Sequence, residues 1–396
     1  MCPFTVRAMS EKLNLMIVAG EPSGDAHAAA LVNALPSDRL NFFGGTGPRL
    51  RAAGVETIVA TDELSILGLP EIGRALPNFL RAYKELKQAA FQKNADAVVL
   101  IDWPDFNLPL ARALHRRGIK VIYYISPQLW AWRSHRVKQI KRDVDLMLTI
   151  LPFEREWYLS HGVNHVEFVG HPLAGEVKVT CTREEFCRQQ NLDPSRPIVS
   201  LLPGSRLKEL QRILPPMLDA AAALLQKRPD LQFVVVVAPS RSLAEAKEII
   251  DRATQLPSEL RLVHHHTREA LAASDAAAVA SGTATLEAAL LGTPMVIVYK
   301  ESAFNWHTLG RLITAEHYGL VNLIAGRRVV TELMQDEFTA ELLSDELLSL
   351  LDRNTNVAVR KELQDVAVKL GPGGASERAA AAILRFLGIG SRQSAT

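Results

Sequence analysis

Along this chain, short apolar runs alternate with helix-patterned segments, and the alternation is played through twice. The first series of runs lies at 13–19, 97–101, 120–125, 146–150 and 166–169, with helical spacing over 25–35, 69–92, 108–117, 134–143 and 154–161. A run apolar at every position suits a strand buried on both faces, and such strands belong to parallel sheets covered by helices. The series restarts at 198–202, 232–237, 261–263, 276–280 and 295–299. Two doubly wound α/β units are therefore expected. Gly170-His171-Pro172 closes the first series, which places one domain over 1–171 and a second over 172–370. From Thr339 onward only helical patterns remain, and Gly371-Pro372-Gly373-Gly374 sets off a last apolar helix. The segment 371–396 is expected to pack on the first domain or on another subunit.

Composition narrows the function classes. Of 396 residues, 48% are hydrophobic and 22% charged, with a formal net charge of +2, which argues against bulk nucleic-acid binding. The three cysteines, Cys2, Cys181 and Cys187, show no metal-type clustering and suit a reducing compartment. No signal peptide is evident at the start, and the most apolar segments are too short or interrupted to span a bilayer.

In open α/β sheets ligands bind beyond the carboxyl ends of the strands, so the residues after each run carry the functional information. After 276–280 come Ser281, Gly282 and Thr283, a turn that leaves N–H groups free at a helix N-terminus, where the dipole favours a phosphate. Glu287, inside that helix, can accept hydrogen bonds from a ribose diol; the alternative is a buried helix with an ordinary cap. After 198–202 come Gly204, Ser205 and Arg206, where a planar guanidinium can bridge a diphosphate or simply be solvated. After 13–19 stand Gly20, Glu21, Ser23 and Gly24, read as a loop lining a binding cleft, with Ser23 as helix cap in the simpler alternative. After 97–101 stands Asp102, which either takes a proton from an attacking hydroxyl or fixes the Trp103-Pro104 turn. Asp105 reads as a helix cap.

Two stretches speak to the partner. Leu69, Ile72, Leu76, Phe79, Leu80 and Tyr83 form an apolar stripe at helical spacing among Arg74, Arg81, Lys84 and Lys87. Such a stripe is either core or an interfacial face bordered by cations. Trp130, Trp132 and Arg133 open an aromatic and basic stretch that either grips a phosphate or membrane surface or packs behind a solvated helix. Three consecutive histidines, 264–266, make a poor chelate on an extended strand.

The series Ala19-Gly-Glu-Pro-Ser-Gly-Asp25, Ile101-Asp-Trp-Pro-Asp-Phe-Asn107, Tyr124-Ile-Ser-Pro-Gln-Leu-Trp-Ala-Trp-Arg133, Leu151-Pro-Phe-Glu154, Phe168-Val-Gly-His-Pro-Leu173, Leu201-Leu-Pro-Gly-Ser-Arg206, Ala280-Ser-Gly-Thr-Ala-Thr-Leu-Glu287 and Asn322-Leu-Ile-Ala-Gly-Arg327 resembles the lipid-A-disaccharide synthases nearly end to end. Val321 and Thr331 stand where that family commonly has proline, a change of loop stiffness more than of chemistry.

The resemblance implies a GT-B architecture, with two Rossmann-like domains facing a cleft and a helical C-terminal segment. It implies an inverting transfer from UDP-2,3-diacylglucosamine to 2,3-diacylglucosamine 1-phosphate, a lipopolysaccharide-building step, with no cofactor or metal called for. Asp102 would deprotonate the acceptor 6-hydroxyl. Arg206 and the 281–283 turn would hold the diphosphate, Glu287 the ribose, and Asn322 would lie near the nucleotide. The N-terminal domain would bind the acceptor through the 20–24 loop, Trp132 and Arg133, with the 69–83 stripe taking acyl chains or touching the cytoplasmic face of the inner membrane. Arg74 and Arg81 would lie near headgroups or the acceptor phosphate. Family members form dimers that exchange carboxyl-terminal segments, and the 371–374 run permits this here. A UDP-sugar 2-epimerase of the same architecture and a non-catalytic nucleotide-sugar-binding protein are the alternatives.

Overall fold

The computed structural model of the chain describes residues 12–63, 72–301 and 317–389. They form two units, one of residues up to Pro172 together with those from Gly374, the other of Leu173–Gly373. In the N-terminal unit the order is β1 (Leu13–Ala19), α1 (Pro22–Ala34), β2 (Leu40–Thr46), α2 (Pro48–Ala52), β3 (Glu56–Ala60), α3 (Ile72–Gln92), β4 (Ala97–Ile101) and α4 (Pro104–His115). It continues with β5 (Lys120–Tyr124), α5 (Val137–Asp143), β6 (Leu146–Thr149), α6 (Pro152–Ser160) and β7 (Val166–Phe168). All seven strands are parallel, ordered β3-β2-β1-β4-β5-β6-β7.

The second unit runs α7 (Leu173–Glu176), α8 (Arg183–Gln190), β8 (Ile198–Leu202), α9 (Leu207–Lys227), β9 (Gln232–Val237), α10 (Leu243–Asp251), β10 (Leu260–His264), α11 (Thr267–Ala273), β11 (Ala276–Ala280), α12 (Thr283–Leu290) and β12 (Met295–Tyr299). After these come α13 (Leu320–Ala325), β13 (Glu332–Met334), α14 (Ala340–Leu350) and α15 (Arg353–Lys369). Its parallel sheet is ordered β10-β9-β8-β11-β12-β13. In both sheets the strand order reverses once, between β1 and β4 and between β8 and β11, and at such switch points the diverging helices open a crevice.

The central strands are apolar because helices cover both faces: every residue of β4, β8 and β11 is buried. Three strands escape the apolar-run criterion. β2 carries Asn41, Gly44 and Gly45, β3 is a half-exposed edge, and β13 has three residues. Gly44 is there for a close approach: its φ is +152°, and a Cβ would lie 1.9 Å from the Ile17 carbonyl oxygen of β1. The helical pattern at 134–143 divides into a 3₁₀ turn, Ser134–Arg136, and α5.

The last helix, α16 (Ala375–Leu387), packs against α1 in the N-terminal unit. Its Ala379, Ala380, Ala382 and Ile383 join the core beside Leu15, Ile17 and Val99. Arg378 Nε donates to the Val169 carbonyl at 2.8 Å, and Arg385 pairs with Glu167 at 2.6 Å.

Candidate active site

The β1/β4 switch point aligns Ala19 with Ile101, so the residues that follow, Gly20 and Asp102, leave the sheet side by side. Asp102 and Trp103 both take left-handed backbone, with φ of +47° and +48°. For non-glycine residues this costs roughly 1–2 kcal/mol each. Three hydrogen bonds hold the turn. The Asp102 carbonyl accepts from Tyr123 Oη at 2.6 Å and Asn107 Nδ2 at 2.8 Å, while its N–H donates to the Tyr124 carbonyl at 3.2 Å. Ile125, at the end of the neighbouring strand, is also left-handed at φ +63°, so strain collects where these strands end.

The strained turn turns Trp103 over Gly20. A Cβ on Gly20 would lie 2.1 Å from the indole, so only glycine fits. The ring stacks on Phe106 with centroids 4.2 Å apart and meets Phe79 of α3 edge-on. Burial and the nearby Glu21 carboxylate push Asp102 up to about 6, a value suited to a base working near neutrality.

The surrounding residues depart from the sequence reading in two places. α1 starts at Pro22, so Ser23 lies in its first turn rather than at its cap, and Glu21 holds the cap position without a side-chain bond. Ser23 is exposed and Gly24 buried. Asp105 is likewise not a cap. Trp103 and Pro104 start α4, and the Asp105 carboxylate accepts from Arg133 at 3.0 Å and Arg136 at 2.6 Å. Arg133 also lies 4.2 Å from the Trp132 ring, whose side chain is exposed.

Beneath this loop sits a residue whose role the sequence reading does not assign. Glu154 is fully buried, and its carboxylate accepts from Ser126 Oγ at 2.7 Å, Trp130 Nε1 at 3.2 Å and Leu151 N at 3.0 Å. Burial, only partly offset by these donors, pushes it up to about 7. Its place in Leu151-Pro-Phe-Glu154, at the third position of a helix, is the one sequence signal.

At the second switch point β8 and β11 pair Leu202 with Val279. The 204–206 turn, the 281–283 turn and Glu287 line one cavity of about 340 Å³, together with Glu209 and Thr267. Gly204 at φ +106° and Gly282 at φ +154° adopt backbone that other residues rarely take. Arg206 is 83% exposed and reaches into solvent from the turn. The donors of that turn are already in use: Glu209 Oε2 accepts from Ser205 N at 3.0 Å and Arg206 N at 3.1 Å, and Oε1 from Arg206 Nη1 at 2.9 Å. A carboxylate of the chain itself therefore occupies this turn. Glu287 is tied by Arg268, whose Nε donates to Oε1 at 3.0 Å while Nη1 donates to the Glu176 carbonyl at 2.6 Å. No spacing in the sequence links Arg268 to Glu287.

Asn322 is not brought to this cavity. Its amide is buried and saturated, donating to Val330 O and Glu332 Oε1 and accepting from Val329 N and Val330 N. The apolar stripe of α3 divides. Phe79 and Tyr83 pack on the Trp103–Phe106 cluster, whereas Leu76 and Leu80 are 53% and 50% exposed. Arg81 is exposed and paired with Glu85. Leu69 and the side chains of Ile72 and Arg74 lie outside the described residues. The histidine run is not extended: β10 ends at His264, His265 turns to φ +66°, and the two rings meet at 3.7 Å.

Comparison with known proteins gives the family and the fold. The lipid-A-disaccharide synthetase family model matches residues 15–386. The lipid-A-disaccharide synthase of Geobacter sulfurreducens is 43% identical over 377 residues, covering 94% of this chain and 97% of its own. Among solved structures, the calicheamicin glycosyltransferase CalG4 superposes with a TM-score of 0.59 at 16% identity, over 96% of this chain and 99% of its own. The UDP-GlcNAc 2-epimerase of Neisseria meningitidis gives 0.62 at 11% identity, over 95% and 100%, a likeness of fold alone. With a GT-B fold and this family match across nearly its whole length, the chain belongs to the lipid-A-disaccharide synthetase family and is a glycosyltransferase of lipid A biosynthesis.

Proposed function

We propose that this glycosyltransferase works by a single displacement in which Asp102 is the base. Asp102 takes the proton from the 6-hydroxyl of 2,3-diacylglucosamine 1-phosphate. The oxygen attacks the anomeric carbon of UDP-2,3-diacylglucosamine, the bond from that carbon to the diphosphate oxygen breaks, and UDP leaves with the electron pair. One displacement inverts the anomeric centre to a β-1′,6 linkage. Arg206 and the 281–283 turn stabilise charge growing on the leaving diphosphate, and Glu287 holds the ribose.

The observation that carries the reading is Asp102 itself: a carboxylate at a switch point, clamped in strained backbone and raised to about 6. The test supplies both acylated substrates and analyses the product by mass spectrometry and NMR. A β-linked disaccharide phosphate with stoichiometric UDP is expected; an α-linked product sinks the single displacement.

Peripheral contact with a membrane is part of the proposal, supported by exposed Leu76 and Leu80 on one edge of α3. No helix among the described residues is long and apolar enough to cross a membrane. Leu76→Glu in a folded protein is expected to abolish flotation with vesicles; unchanged flotation removes this face from the contact.

A further inference from the structure

The N-terminal unit holds a second cavity, of about 430 Å³, framed by Tyr83 of α3, Pro109 and Arg112 of α4, Arg116 at its C-cap, and Arg142 and Asp143 of α5. Its charges do not balance. Arg142 is forked onto Asp143, Nε to Oδ1 at 2.7 Å and Nη2 to Oδ2 at 2.5 Å, and the Asp143 side chain is only 4% exposed. That pair is neutral and fixed. Arg112 and Arg116 are exposed, one helical turn apart, and have no ion-pair partner among the described residues. Arg51, Arg81, Arg133, Arg136 and Arg155 of the same unit each have a carboxylate. Like charges at this spacing repel each other. Two guanidinium groups held over a hollow without a counter-charge are suited to a phosphate, which their planar forks can grip bidentately.

The apolar side of the cavity continues along α3. Leu76, Leu80, Tyr83 and Lys87 follow at i, i+4, i+7 and i+11, one edge of the helix, and the two leucines are exposed. Tyr83 lines the cavity, with its Oη 3.4 Å from the Pro109 carbonyl. At 1.5 Å per residue the leucines begin within about 10 Å of the cavity, the scale of one lipid from headgroup to upper acyl chain. Arg112 and Arg116 lie 10 and 14 positions beyond Asp102 along the chain. This is roughly 15–20 Å of helix, which sets the cavity apart from the reacting centre.

We propose that this cavity binds the phosphate headgroup of an anionic membrane lipid while Leu76 and Leu80 enter the apolar layer. The assignment rests on the peripheral-membrane reading above and adds to it a defined headgroup site.

The experiment measures co-sedimentation of the full chain with phosphatidylcholine vesicles and with vesicles also containing phosphatidylglycerol. Glycerol phosphate is titrated by calorimetry in parallel. Arg112→Gln with Arg116→Gln is compared with a charge-matched control, Arg49→Gln with Arg353→Gln, after circular dichroism has established that both are folded. The cavity variant is expected to lose phosphatidylglycerol-dependent binding by roughly 30-fold, with the control nearly unchanged. Equal losses in both variants overturn the site in favour of diffuse attraction. Arg112- and Arg116-dependent binding of glycerol phosphate, with vesicle binding unmoved, overturns the lipid assignment in favour of a free phosphate. If the wild type binds neither kind of vesicle, the membrane reading fails with the lipid assignment. The calorimetric arm then decides separately whether the arginines hold a phosphate.

Discussion

The two switch points share a strand order and differ in almost everything placed upon it. At the first, Glu21 and Asp102 bring carboxylates to the strand ends, and the left-handed positions are filled by Asp102 and Trp103, which must be clamped there. At the second, Gly204 and Gly282 take positive φ without steric cost, and the exposed Arg206 is paired with Glu209, whose carboxylate also takes the Ser205 and Arg206 N–H groups. Topology decides where a site forms; residue choice decides its polarity. On the proposed mechanism, strain is spent where a proton acceptor is aimed, and glycine is used where backbone comes close to a diphosphate.

The largest expected break in this contrast is Asp102→Asn. Transfer should fall by about 100- to 10,000-fold while UDP affinity, measured by calorimetry, stays within a factor of two. Near-normal turnover would deprive the first switch point of its role. Next comes Arg206→Ala, exposed and so harmless to folding, which should weaken UDP binding by about 10- to 100-fold, with Lys restoring only part of it. Affinity equal to wild type would leave the second switch point without its cation.

A smaller effect concerns Glu154. Its folded pKa, about 7, lies above the ordinary carboxylate value of 4.5, so its stability contribution is full below 4.5 and is lost as pH rises through 7. Glu154→Gln should flatten the melting temperature between pH 5 and 8 by a few degrees, and equal slopes in both proteins would clear Glu154 of the effect. The smallest is Glu21→Gln. Because the Glu21 charge helps raise Asp102, its removal should move the acid limb of the rate profile from about 6 to lower pH, and a limb that stays put or rises would refute the coupling.

The fold was largely legible because the covered strands β1, β4, β8, β9, β11 and β12 are apolar at nearly every position. β2, β3 and β13 were not, since glycine, edge exposure and short length erase that signal. Residues at strand ends, such as Asp102, Arg206 and Ser281, could be singled out because open sheets place ligands there. The residues that hold them in place could not. Glu209 and Arg268 act across turns and between elements, Glu154 under a loop, and Asn322 turns out to spend its amide inside the fold. Partnerships of this kind depend on three-dimensional proximity and leave no period in the sequence.

The helix α16 bears on how the molecule is made. Ala379, Ala380, Ala382 and Ile383 complete the core of the unit whose strands are synthesised first. A ribosome adds roughly 5–20 residues per second, so the N-terminal sheet waits for the whole second unit to emerge before its outer layer can close. During that interval the α1 face that α16 will cover is open, and a nascent chain stalled anywhere before residue 375 displays it. Until α16 docks, that apolar surface is open to any factor that binds exposed hydrophobic chain.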